Sequence, residues 1–319
     1  MSGCPVENCY APDATCALGN LLLKNCPNWG GQEKLSAEPS PQNGDEIVLP
    51  WSGSALGKND VAFITDRKSP LTVGILGAEN AGKTSLLAAW YLLIGRGAKI
   101  SSRHTFSGSF TLSGWEAVAR SMQWRPGVQP EFPPHTSTRG TREKGLLHLS
   151  FMEDSNLLRD YLFADAPGLW FQRWAINEEA PDAQGARWVV QNADAFILTA
   201  DCAALAGTER GSARSAIQLL ARRLSANLHG RPVALAWTKS DIAIADTMRQ
   251  AVLDAVSSQI PDFIEISVSM QAPVGQDTGV GVGLTDLLRQ LLETRRLKAT
   301  LPASRAKNDD PLFLFGARS

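Results

Sequence analysis

The sequence has no apolar run long enough to cross a membrane. Its first residues, Met1-Ser2-Gly3-Cys4-Pro5, lack the basic-then-apolar pattern of a secretory signal. Both absences predict a cytoplasmic protein with no membrane span. Charge of one sign is also missing: 31 Lys and Arg stand against 32 Asp and Glu, for a net charge of −1 and a pI near 6.4. No global basic field is therefore available to draw nucleic acid or an anionic membrane surface, and neither is expected as a partner. Nor is there an internal repeat at a solenoid period. The 319 residues are enough to bury a sizeable core, as one large domain or two smaller ones.

Cysteine is almost absent beyond residue 26. Cys202 is the single exception and reads as an ordinary buried thiol. The other four, Cys4, Cys9, Cys16 and Cys26, fall in residues 1–30 with the spacing C-x4-C-x6-C-x9-C. That spacing lacks the tight C-x-x-C knuckles of zinc ribbons, yet four thiolates would still close a structural Zn²⁺ site. Free thiols in an arm are the competing reading, and disulfides are disfavoured in a reducing compartment. Residues 31–58, rich in Pro, Gly, Ser and Asn, read as a linker to a main domain at 59–298. The tail, 299–319, carries the apolar Pro311-Leu312-Phe313-Leu314-Phe315. It reads as packing back on the domain or as a docking strand for a protein partner.

The most informative stretch runs from Leu71 to Ser85. The β-prone Leu71-Thr72-Val73-Gly74-Ile75-Leu76 leads into Gly77-Ala78-Glu79-Asn80-Ala81-Gly82-Lys83-Thr84, and a helix-forming Ser85-Leu86-Leu87-Ala88-Ala89-Trp90 follows. G-x-x-x-x-G-K-T between a strand and a helix is the context of a phosphate-binding loop. Its glycines let backbone N–H groups wrap a phosphate chain, and the helix start adds its positive dipole end. Lys83 would reach the β- and γ-phosphates, and the Thr84 hydroxyl would hold Mg²⁺.

Strand and helix patterns alternate through the rest of the chain. Strands are predicted at 71–76, 195–198, 233–237 and 263–266, a hairpin at 146–152 and 161–164, and a short extra strand at 61–65. Helices are predicted at 83–94, 112–122, 208–228, 242–257 and 284–297. The result is an α/β fold: a mostly parallel sheet with helices on both faces, one antiparallel hairpin, and an insertion at 95–135. Ligands in such sheets bind at the carboxyl ends of the strands, where three further motifs lie.

Asp165-Ala166-Pro167-Gly168 places a carboxylate able to hold Mg²⁺ and a glycine N–H able to meet a γ-phosphate; an ordinary turn explains it nearly as well. Thr238-Lys239-Ser240-Asp241 offers an aspartate that accepts from both guanine N1–H and its 2-amino group, which adenine cannot match. The aliphatic stem of Lys239 can cover the base plane. Ser267-Val268, after a predicted strand, could contact the guanine carbonyl through backbone.

In this order the motifs resemble those of P-loop GTPases of the translation-factor-related class. The resemblance covers residues from about 60 to 298 and implies GTP and GDP as ligands with Mg²⁺. It assigns Gly77, Glu79, Asn80, Ala81, Gly82, Lys83, Thr84, Ser85, Asp165, Gly168, Thr238, Lys239, Asp241, Ser267 and Val268 to the nucleotide. Thr238 departs from the usual Asn. The long gap to a switch threonine, with a Pro-rich lead-in and a Trp-bearing helix, is similar to the double-GTPase families of bacterial conflict systems. The second Mg²⁺ hydroxyl falls to Thr138, which precedes Arg139, with Thr136 as the alternative.

Ras-like enzymes place a glutamine after the D-x-x-G glycine to orient water, but here that residue is Leu169. Asn80 stands where class members that use K⁺ carry an asparagine; it also suits a left-handed turn. Arg139 or Arg142 acting in cis is a further option. The leading expectation is a GTP-hydrolysing switch acting on a partner. A GTP-locked scaffold and an ATP-using P-loop ATPase or kinase are the alternatives.

Overall fold

The computed structural model describes residues 55–57, 60–65, 69–124, 126–133, 145–271, 281 and 283–296. The cysteine segment, the linker, Thr136, Thr138, Arg139, Arg142 and the tail all lie outside them.

Among the described residues, seven strands form one sheet: β1 (Leu71–Leu76), β2 (His104–Gly108), β3 (Leu146–Glu153), β4 (Leu158–Ala164), β5 (Ala195–Asp201), β6 (Val233–Thr238) and β7 (Ile264–Ser267). Their order is β2-β3-β4-β1-β5-β6-β7. The five strands from β4 to β7 pair in parallel, while β2, β3 and β4 pair antiparallel. The parallel strands therefore end at one edge, which carries the loops after residues 76, 164, 201, 238 and 267.

Side-chain alternation along buried strands divides the core into two layers. Leu162, Phe196, Leu198, Leu235 and Trp237 face the layer formed with α4 (Gly168–Ile176), α5 (Gln184–Asn192), α7 (Arg210–Ala226) and α8 (Asp246–Ser257). Val73, Ile75, Tyr161, Phe163 and Ile197 face the layer formed with α2 (Lys83–Gly95), α3 (Leu112–Ala119) and α9 (Leu284–Glu293). Two aromatic donors tie the ends of α9 to this layer. Trp90 Nε1 donates to the Leu284 carbonyl at 2.9 Å and the Tyr161 hydroxyl to that of Leu292 at 2.8 Å. The amphipathic spacing of Leu284, Leu287, Leu288 and Leu291 does the rest.

Three features depart from the sequence reading. Residues 61–65 form a helix, α1 (Val61–Thr65), not a strand. Asp60 turns the chain just before it by accepting from the Gly57 N–H at 2.7 Å, and Val61 and Ile64, three residues apart, share the core face. The helix expected from residue 242 begins at Asp246, because the Ile242 N–H closes a turn onto the Lys239 carbonyl at 3.0 Å. The 95–135 stretch contributes an edge strand: β2 pairs with β3, a non-local partnership that its own pattern does not announce.

Candidate functional site

The loop after β1 is set by close approach. A Cβ at Gly77 would stand 1.8 Å from Thr199 Oγ1, itself donating to the Leu76 carbonyl at 3.1 Å. Asn80 (φ 61°) and Gly82 (φ 77°) both take left-handed backbone, so the chain curls before α2 begins. Lys83 Nζ lies inside the curl and donates to the carbonyls of Gly77 at 3.2 Å and Ala78 at 2.6 Å. Burial pulls its pKa down from 10.5 to about 8, opposed by the carboxylates of Asp165 and Glu79.

Asp165 meets the loop from the end of β4. Thr84 Oγ1 donates to Asp165 Oδ1 at 3.1 Å, which puts a hydroxyl and a carboxylate oxygen side by side. Hard oxygens of this kind fit Mg²⁺, which is held through one or two carboxylates together with phosphates and water. No cluster of three His, Cys, Asp or Glu able to hold a metal occurs among the described residues. Gly168 lies directly on the loop: a Cβ there would stand 2.4 Å from the Glu79 backbone nitrogen. A cleft of about 250 Å³ runs between these parts, bordered by Glu79, Asn80, Ala81, Ser85 and Lys239 among others.

A second cleft, of about 110 Å³, continues from the first toward Asp241, Val268 and Met270. Gly82, Ser85, Phe132 and Lys239 border both. Thr238 is buried where the loops meet: a Cβ on Gly82 would lie 3.6 Å from its own, and its hydroxyl donates to the Ala200 carbonyl at 3.4 Å. Lys239 takes left-handed backbone (φ 54°), and its ammonium pairs with Asp201 Oδ2 at 2.7 Å. Ser269 Oγ donates to Asp241 Oδ1 at 2.8 Å and so fixes the carboxylate that faces this cleft.

Ser267, expected at the base, borders neither cleft. Its Oγ accepts from Arg249 at 3.4 Å, and its carbonyl lies 1.9 Å from where a Gly283 Cβ would be. β7 runs to residue 267, and Val268, Met270 and Gln271 beyond it border the second cleft. Phe132, Pro133, Ile242, Met270 and Gln271 border the clefts and were missed by the sequence reading, as was Asp201, which pairs with Lys239. Asp201 could have been found as the last residue of a strand at the ligand edge, and Phe132 as the aromatic ahead of Pro133 in the Pro-rich stretch. Of the remaining described candidates, Gly77 and Asp165 stand beside the clefts and the others border one or both.

Residues 71–292 match the family described as Double-GTPase 2, a span running from the first residue of β1 into the last turn of α9. A comparison with curated proteins gives no match. Solved structures that resemble the chain include nucleolar GTP-binding protein 1 from Plasmodium falciparum, at 12% identity and TM-score 0.38, covering 70% of this chain and 86% of that one. Era in complex with MgGDPNP and a 16S ribosomal RNA segment resembles it at 16% identity and TM-score 0.32, covering 72% and 59%. The GTP-bound Ski7 GTPase-like domain of S. cerevisiae does so at 18% and 0.38, covering 73% and 51%. The chain thus spans only about half to three fifths of the last two. At these TM-scores the likenesses carry no argument, and the family rests on the sequence match. With a phosphate loop, D-x-x-G and T-K-x-D gathered at one sheet edge, the chain belongs to the Double-GTPase 2 family of P-loop GTPases.

Proposed function

We propose that the protein is a Mg²⁺-dependent, GTP-hydrolysing switch that controls a protein partner in a bacterial multi-protein or defence system. The observation that carries this reading is the continuity of the two clefts. Thr84 and Asp165 stand at one end and Asp241 at the other, with Gly82, Ser85, Phe132 and Lys239 shared between them. That layout suits a nucleotide lying along the sheet edge, phosphates under Lys83 and guanine on Asp241. Mg²⁺ on Thr84 and Asp165, completed by Thr138 or Thr136, would neutralise charge on the β- and γ-phosphate oxygens. Gly168 lies against the loop, and its N–H would register the γ-phosphate and pass that contact to α4.

Asn80 borders the phosphate cleft in an exposed, left-handed turn, a position from which its carbonyl could help hold K⁺. K⁺ there would add positive charge beside the β–γ bridging oxygen. A GTP-locked scaffold is the second reading, favoured by one observation. α4 starts at Gly168 itself, so Leu169 follows the glycine and Gln172 lies a full turn further on.

Single-turnover cleavage of bound GTP tests the proposal. Turnover is expected, several-fold faster in K⁺ than in Na⁺, with the difference abolished in Asn80→Ala. Bound GTP that stays intact in both salts would overturn hydrolysis in favour of the scaffold. Equal rates in the two salts would remove K⁺ from the account.

A further inference from the structure

The phosphate cleft lacks the water-orienting glutamine of Ras-like enzymes, which raises the question of what else there can accept a proton. Of the polar side chains bordering it, Lys83 and Lys239 are cationic donors, and the Thr84 hydroxyl is engaged with Asp165. Asn80 and Ser85 are neutral. Glu79 is different. It is exposed, it borders the cleft, and its carboxylate makes no hydrogen bond or ion pair with another described residue.

Its place along the loop is also specific. The Glu79 backbone nitrogen is the atom nearest to a Cβ built on Gly168, at 2.4 Å, with the carbon and oxygen of Ala78 at 2.5 and 2.6 Å. Glu79 therefore sits where the phosphate loop and the D-x-x-G glycine meet. A γ-phosphate held by Lys83 and the Gly168 N–H would end at this junction. The attacking water approaches in line, from the side opposite the bond that breaks, and so enters on the side of this junction. Asn80, immediately after Glu79, takes left-handed backbone and borders the same cleft.

We infer that Glu79 is the catalytic residue that orients the attacking water and accepts its proton. The inference rests on the hydrolase reading above and deepens it. As the water oxygen bonds to the γ-phosphorus, the bond from that phosphorus to the β–γ bridging oxygen breaks and GDP leaves with the bridging oxygen. The water proton passes to the Glu79 carboxylate and then to solvent, leaving inorganic phosphate. A positioned general base of this kind contributes about 10²–10⁴-fold to rate.

The test compares wild type with Glu79→Gln and Glu79→Ala on the full chain, using two readouts: single-turnover GTP cleavage and affinity for a non-hydrolysable GTP analogue. Glu79→Gln keeps the shape of the side chain and loses its charge and its ability to take a proton. Its cleavage should fall by about 10²-fold or more, while analogue affinity stays within about threefold because ground-state contacts are unchanged. Glu79→Ala should match it in both. Wild-type cleavage in either variant would overturn the role of Glu79 and leave the hydrolase reading standing. Cleavage absent from wild type as well would overturn both together.

Discussion

The Lys239 ammonium lies 2.7 Å from Asp201 Oδ2, which makes the last residue of β5 a support of the nucleotide site. The other Asp201 oxygen accepts from the Ala203 N–H at 2.9 Å, so the carboxylate is fixed at the start of α6 (Cys202–Ala206). Lys239 itself holds φ at 54°, a conformation that non-glycine residues adopt rarely and only when their surroundings impose it. The ion pair supplies part of that restraint and points the side chain along the base cleft.

Asp201→Ala should weaken guanine-nucleotide binding by about three- to fivefold, the scale of a partly screened pair worth up to about 1 kcal/mol. The loss should shrink at high salt. Titration of a fluorescent GDP analogue at two ionic strengths checks it.

The buried Lys83 makes binding pH-dependent. Its pKa of about 8 in the free protein lies below the ordinary 10.5, so burial disfavours the ammonium. Phosphates favour the ammonium, and binding above pH 8 must therefore take up a proton. Affinity for GTP should hold steady below pH 8 and fall as pH rises beyond it. Calorimetry in buffers of different ionisation enthalpy should show uptake approaching one proton near pH 9, absent from Lys83→Met if that variant retains measurable binding. The sign for folding is opposite. From pH 8 to 10.5 the unfolded chain binds more protons at this site, so this residue's contribution to stability rises with pH.

Gly185 answers for how α4 is seated. A Cβ there would stand 2.0 Å from Trp170 Cε3, so α5 can approach the helix that follows D-x-x-G only with glycine at this position. Gly185→Ala should destabilise the fold by about 1–3 kcal/mol through overpacking, despite the better helix propensity of alanine. A urea melt followed by tryptophan fluorescence measures it.

What could be read from the sequence follows from where the determining forces act. The parallel core strands were visible because Val73, Ile75, Phe196, Ile197 and Leu235 sit in near-continuous apolar runs, the pattern of a sheet covered on both faces. The phosphate loop was visible because backbone geometry itself demands its glycines. β2 was not, since Thr105 and Phe106 on that edge strand are exposed and its order comes from pairing with β3 some 45 residues away. The end of β7 was hidden for a related reason. Whether residue 267 ends a strand or begins a loop is decided by its pairing with Trp237, and a shift of two residues keeps every side chain on the same face. Asp201 was passed over because its role needs Lys239, 38 residues later, brought alongside by the pairing of β5 with β6.

The most direct test is the affinity of the protein for GTP and ATP, each with Mg²⁺, measured on wild type, Asp241→Asn and Lys83→Ala. Wild type should prefer GTP by about 10³-fold or more, because adenine would leave the Asp241 carboxylate without either of its donors. Asp241→Asn should lose most of that preference and accept xanthosine triphosphate instead, and Lys83→Ala should bind neither nucleotide tightly. Equal affinity for GTP and ATP in wild type, or a GTP preference that survives Asp241→Asn, would contradict the account.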